Sequence, residues 1–174
     1  MDAPASLQAA LLAWAATAIR DLPWRHTRDP WAVLVSELML QQTQVARVVP
    51  RYESFLARFP TPAACAAGPP AETIRLWAGL GYNRRALHLH AAAGAVAERH
   101  GGRLPDVLDD LLRLPGVGGY TARAVLAFAF ERDVAVLDAN ALRVLSRALG
   151  RPVAQRPVLS APDADIRGQK ARHA

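Results

Sequence analysis

An all-α fold is predicted from three observations. Apolar residues recur at helical spacing along nearly the whole chain. Proline, glycine and Asp/Ser/Thr signals break that pattern into short segments, joined by links of about two to eight residues. The 174 residues are enough for one domain with a core of its own.

The elements follow in order. Ser6 is placed to cap a helix running to about Arg20, with Leu7, Leu11, Trp14 and Ala18 on one face. Asp21 to Arg28 reads as a polar loop. Asp29-Pro30 then opens a second helix, Asp as N-cap and Pro in the first turn. It carries Val33, Leu34, Leu38 and Val45, and is expected to break at Pro50 before a short helix with Tyr52, Phe55 and Phe59. Thr61-Pro62 and Gly68-Pro69-Pro70 bracket another short helix, and a further one runs from about Ala71 to Trp77. Asn83 opens a longer helix ending at Gly101-Gly102, and Asp106 is expected to cap the next. A hairpin at Pro115–Gly119 leads into a helix over Tyr120 to Phe130. Residues 132–137 read as extended, and Asp138 caps the last helix, which ends near Gly150. Residues 1–150 are therefore read as one domain. Residues 151–174, with Pro152, Pro157 and Pro162 and no helical stripe, read as a disordered basic tail or the product of a shifted reading frame.

The formal net charge is +6. A basic balance favours a polyanionic partner, usually nucleic acid, although an arginine-rich composition from a GC-rich genome gives the same number. Cys65 is the sole cysteine, which excludes a disulfide framework or a cysteine metal cluster within this chain. It reads as a small buried apolar residue. No basic-then-apolar leader is seen, and the longest apolar stretches are interrupted by Arg, Glu or Gln. A cytoplasmic monomer without membrane contact is expected.

The chemistry is concentrated in a few places. In Leu114-Pro115-Gly116-Val117-Gly118-Gly119-Tyr120 the glycines permit positive φ, and the following helix starts with unpaired N–H groups. Such a turn holds a DNA phosphate through the backbone of Gly116, Val117, Gly118 and Gly119; a plain corner between helices is the simpler reading. Asp138 follows the apolar run Val134–Leu137 and alone is an ordinary N-cap. Glu37 lies in a helix placed at 32–47, among Val35, Leu38, Met39 and Leu40. Desolvation there would raise its pKa and keep it protonated near neutrality, whereas a solvent-facing Glu would titrate normally. One protonated and one ionised acid suit cleavage of an N-glycosidic bond, by the logic of glycoside hydrolysis. Gln41, Gln42 and Thr43 suit hydrogen bonds to base edges or wedging into a stack. Tyr82 suits stacking on a base, or the core. Trp24 and Arg25 precede the Glu-bearing helix and are placed to wall a base pocket. Arg84 and Arg85 read equally as phosphate contacts or surface charge.

The pieces Leu22–Arg25, Ser36–Val45, Gly79–Tyr82, Leu114–Tyr120 and Leu137–Asn140 resemble, in the same order, the helix-hairpin-helix DNA glycosylases, and most closely their adenine DNA glycosylase branch. The resemblance covers roughly residues 7–150. It implies a six-helix barrel domain facing a second helical domain, and removal of adenine mispaired with 8-oxoguanine or guanine in base excision repair. It implies that Glu37 protonates the everted adenine and that Asp138 stabilises the cationic sugar, with Tyr120 and Asn140 assisting. Gln42 and Tyr82 would enter double-stranded DNA around the lesion, and Trp24, Arg25 and Leu40 would line the adenine pocket. Tyr120 stands where endonuclease III-type relatives carry the lysine that forms a Schiff base, so a monofunctional enzyme is implied. A thymine-mismatch glycosylase also fits Tyr120 and the Asp-Ala-Asn segment.

The chain departs from that pattern after Gly150. The helices that complete the second domain, with four cysteines for a [4Fe-4S] cluster, are not found, nor is a region that reads 8-oxoguanine. Incomplete packing of the second domain is expected to leave Leu7, Leu11, Trp14 and part of the Asp138 helix exposed. A truncated, catalytically silent fragment that only binds DNA is therefore the competing expectation.

Overall fold

A computed structural model describes residues 3–153, with side chains from Gln8 onward. Leu7's side chain and the tail from residue 154 lie outside the described residues. Among those residues the chain is helical and has no strand.

The core is organised around α2 (Pro30–Leu40), which starts as expected: Asp29 caps it by accepting from the Trp31 N–H at 3.1 Å. Every residue from Trp31 to Met39 is buried. Such a helix is enclosed rather than amphipathic. Around it pack α3 (Val45–Arg58), α6 (Arg84–Arg99) and α8 (Gly119–Phe128). The short α4 (Pro62–Ala67) and α5 (Pro70–Leu76) lie against α6. Trp31, Phe55, Phe59 and Trp77 form a contiguous aromatic cluster, with ring centroids 5.3–6.5 Å apart. The Trp31 indole donates to the Phe59 carbonyl at 2.9 Å.

Several boundaries differ from expectation. The helix placed at 32–47 stops at Leu40, because Gln41 leaves the helical region and Gln42 turns to φ 55°. The chain then re-enters a helix at Val45 that runs through Pro50 to Arg58, where a break was expected. Val48, Tyr52 and Phe55 are buried on one face across the proline, and that burial outweighs the hydrogen bond Pro50 cannot make. Ser6 lies inside α1 (Ala3–Ala18) rather than capping it, since Pro4 is tolerated in a first turn. Asp106 does not cap α7 (Leu108–Leu112); its carboxylate pairs with Arg132, and Val107 takes the cap position.

The hairpin joins α7 to α8. Leu111, Leu114 and Val117 point inward, and Gly116 adopts φ 77°. A Cβ at Gly116 would lie 2.6 Å from the His88 Cβ on α6, so the turn is pressed onto that helix. Gly118 does not take the expected positive φ. At φ −93° and ψ 176° it is the extended N-cap of α8, with open space around it and no side-chain cap.

The two ends of the described chain are packed differently. In α1, Leu11, Leu12 and Trp14 are exposed, Trp14 by 64%. The last helix, α9 (Ala139–Ala148), buries no residue, and Val144 and Leu149 face outward. Residues 132–137 leave α8 as coil without a ladder partner among the described residues.

Candidate active site

Glu37 is carried into the interior by the enclosure of α2, and only 9% of it stays exposed. Burial pushes its carboxyl from 4.5 up to about 7. The Tyr120 hydroxyl, donating to it, opposes that rise, and the Asp138 carboxylate adds to it. Glu37 thus holds a proton through much of the neutral range.

Asp138 is fixed by its place as N-cap of α9. Its Oδ1 accepts from the Ala141 N–H at 2.7 Å, and its Oδ2 accepts from the Asn140 side-chain amide at 3.1 Å. Asn140 in turn accepts from Arg143 at 2.7 Å. Tyr120, in the first turn of α8, hydrogen-bonds Glu37 and feels the charge of both acids. Burial, followed by the charges of Glu37 and Asp138, pushes its phenol up to about 12, so it remains a hydrogen-bond donor. The two acids, remote in sequence, act electrostatically on this tyrosine, and Asp138 acts on Glu37.

Glu37 and Tyr120 open into a cleft of about 590 Å³, whose walls include Trp24, Arg25, Leu40 and Phe128. The turn Pro23–Arg25 presents Trp24, whose ring packs edge-on against Tyr52 at 5.4 Å. Arg25 donates to the Arg20 carbonyl at 3.0 Å. An aromatic wall, an aliphatic wall and a protonated acid at the bottom suit a flat heterocycle with a basic ring nitrogen.

A second group lies at the C-terminal end of α2. Gln42 (φ 55°) and Tyr82 (φ 48°) both carry side chains in the left-handed region, and both are exposed. They border the same two surface depressions. Their neighbours are engaged internally: the Gln41 amide donates to Thr121 at 3.4 Å, and Thr43 donates to the Leu80 carbonyl at 3.2 Å. Arg85, read from sequence as phosphate contact or surface charge, is half-buried and engaged by the protein itself. Its guanidinium donates to Leu38, Met39, Gln41, Leu80 and Gly81 carbonyls and to Thr43. An arginine three residues after a Gly-Tyr turn gave no sequence signal for this task. Phe128 was missed as a cleft wall because helical periodicity alone places it in the core or outside with equal ease.

At the hairpin, the Val117 side chain belongs to the core, so that residue offers the surface only its backbone. Gly118 is exposed and Gly119 opens α8, whose first N–H groups have no partner one turn back.

The iron–sulfur cluster implied by the resemblance does not fit the residues present. Cys65 is fully buried in α4, beside Thr73 at 3.8 Å, and burial pushes its thiol up to about 11. No group of three or more His, Cys, Asp or Glu among the described residues is arranged to hold a metal. No helix among them is long and apolar enough to cross a membrane.

The chain is similar to known proteins over most of its length. Residues 35–157 match the family described as "HhH-GPD superfamily base excision DNA repair protein". An adenine DNA glycosylase of Mycobacterium tuberculosis is 47% identical over 158 residues, covering 90% of this chain and 52% of that protein. A thymine-DNA glycosylase of Aeropyrum pernix is 44% identical over 132 residues, covering 75% of this chain and 59% of that protein. The chain thus spans about half the length of the curated relatives it matches. Among solved structures, a thermostable thymine-DNA glycosylase superposes with a TM-score of 0.83 at 30% identity, covering 95% of this chain and 81% of that one. With the fold, the hairpin and the sequence match in agreement, the chain belongs to the HhH-GPD superfamily of base excision DNA repair proteins.

Proposed function

We propose that the chain is a monofunctional DNA glycosylase that releases adenine mispaired with 8-oxoguanine or guanine from double-stranded DNA. The observation that carries the reading is the buried Glu37, protonated up to about pH 7, hydrogen-bonded to Tyr120, within range of the Asp138 charge and lining a cleft of about 590 Å³.

The chemistry balances with these groups. Glu37 gives its proton to a ring nitrogen of the everted base. The bond from sugar C1′ to the base breaks, and its electron pair leaves with the base. The resulting oxocarbenium-like sugar is stabilised by the Asp138 carboxylate, which Ala141 and Asn140 hold in place. Water adds to C1′ and its proton returns to Glu37. Tyr120 has no amine with which to form a Schiff base, so the strand stays intact.

The remaining residues supply access. Gln42 and Tyr82 protrude where a duplex would be opened, and Trp24, Arg25 and Leu40 wall the base pocket. The backbone of Gly116–Gly119 and the N-terminus of α8 grip a phosphate. The chain acts as a monomer on DNA in the cytoplasm, and no step runs through a metal cluster.

Similarity to the thymine-DNA glycosylases supports a second reading, thymine opposite guanine. A general acid favours the purine, whose imidazole-type nitrogen accepts the proton. Single-turnover assays on duplexes with adenine opposite 8-oxoguanine, adenine opposite guanine and thymine opposite guanine test the proposal. Adenine release that vanishes in Glu37→Gln is expected. Thymine release alone selects the second reading, and binding without any release selects a silent DNA-binding fragment.

A further inference from the structure

We propose that Arg85 is the positioning residue that fixes Gln42 and Tyr82 as one rigid wedge, by clamping the backbone of both loops from inside. The inference rests on the reading above that these two side chains enter the duplex.

Gln42 and Tyr82 come from separate loops, yet both hold a left-handed backbone that side-chain-bearing residues seldom adopt. Such conformations persist only where the surroundings over-determine them. Arg85 supplies that constraint for both at once. Its Nη1 donates to the carbonyls of Leu38 at 2.8 Å, Met39 at 3.2 Å and Gln41, the last turn of backbone before Gln42. Its Nη2 donates to Thr43 Oγ1 at 3.1 Å, just after Gln42, and to the Leu80 and Gly81 carbonyls at 3.2 and 3.1 Å, just before Tyr82. The Arg85 backbone N–H also donates to the Tyr82 carbonyl at 2.9 Å. The guanidinium carbon lies 5.6 Å from the Tyr82 ring centroid and 5.5 Å from that of Trp77, so the cation sits against both rings.

The clamp also closes off the helix. Of the carbonyls at the end of α2, that of Leu40 accepts from the Thr43 N–H at 3.3 Å, while those of Leu38 and Met39 accept from Arg85. A cation there complements the helix dipole as well as the open acceptors. Only a planar fork reaches both loops together. A lysine ammonium in the same place is a single point and satisfies one set of acceptors at a time.

The test uses this chain and a duplex carrying 2-aminopurine next to the target adenine. Its fluorescence rises when the adenine leaves the stack. Wild type is expected to give a clear rise. Arg85→Lys is expected to lose most of that rise while its duplex affinity changes by less than about threefold, since phosphate contacts set affinity and the wedge sets eversion. Arg85→Lys combined with Tyr82→Ala is expected to lose no more than Tyr82→Ala alone, because both act through the same element. Should Arg85→Lys not fold, Thr43→Val, which removes one acceptor of the clamp, carries the same comparison. A rise in Arg85→Lys equal to wild type overturns the proposal. So does a parallel loss of binding and fluorescence, which marks a merely structural role, or a wild-type protein that leaves 2-aminopurine dark. Base release is read separately: a normal fluorescence rise without adenine release sinks the enzyme reading and leaves the clamp standing.

Discussion

Replacing Glu37 by glutamine turns the buried acid into a stability measurement. The folded protein holds the Glu37 proton up to about pH 7, whereas the ordinary value is 4.5. Folding therefore favours the protonated form, and stability is lost as pH rises through that window. At about 1.4 kcal/mol per pH unit, the full gap is worth about 3 kcal/mol once both states are ionised. Between about pH 5 and about pH 8 the loss attributable to this one group is about 2–3 kcal/mol. Glutamine fills the same space and does not titrate. Urea unfolding of wild type and Glu37→Gln at the two pH values reads the difference directly from the midpoints. The variant should gain on wild type by about 2–3 kcal/mol as pH rises, while base release is lost throughout. Parallel stability profiles would mean that Glu37 is solvated in the folded state, and the general-acid assignment would fall with them.

The neighbours of Glu37 should move its titration in opposite directions, followed by carbon NMR of the labelled carboxyl. Tyr120→Phe removes a hydrogen bond that favours the ionised form and should raise the pKa of Glu37. Asp138→Asn removes a repelling charge and should lower it; asparagine still caps α9, so duplex affinity should survive while base release is lost. Gly116→Ala places a methyl against His88 at a positive φ and should cost about 2 kcal/mol or more in urea unfolding. Gly118→Ala meets open space at an ordinary φ and should stay within about 0.5 kcal/mol of wild type.

What the sequence disclosed was whatever is encoded locally. Asp29-Pro30 and Thr61-Pro62 announce helix starts because cap and proline act within one turn, and both are observed. The burial of Glu37 was legible because Val33, Leu34, Val35, Leu38, Met39 and Leu40 surround it along the helix. What escaped depends on partners far along the chain. The break after Leu40 is enforced by Arg85 from α6, whereas Val45 continues the local apolar period and so invited one long helix. Pro50 reads as a break in isolation, but the buried Val48, Tyr52 and Phe55 hold the helix through it. Asp106 fits a cap until Arg132 is available to take it. Gly116 and Gly118 look alike in sequence; only the approach of His88 distinguishes the one that must be glycine.

The four tryptophans stand in three different surroundings. Trp31 and Trp77 are sealed in the core, Trp14 projects into solvent, and Trp24 is half-buried at the rim of the cleft. Intrinsic emission can therefore report on ligand entry without any attached dye. Iodide will reach Trp14 first and leave the two core indoles untouched. With Trp14 changed to phenylalanine, a spectral response to added oligonucleotide is traced to Trp24, where an incoming heterocycle displaces water from the ring.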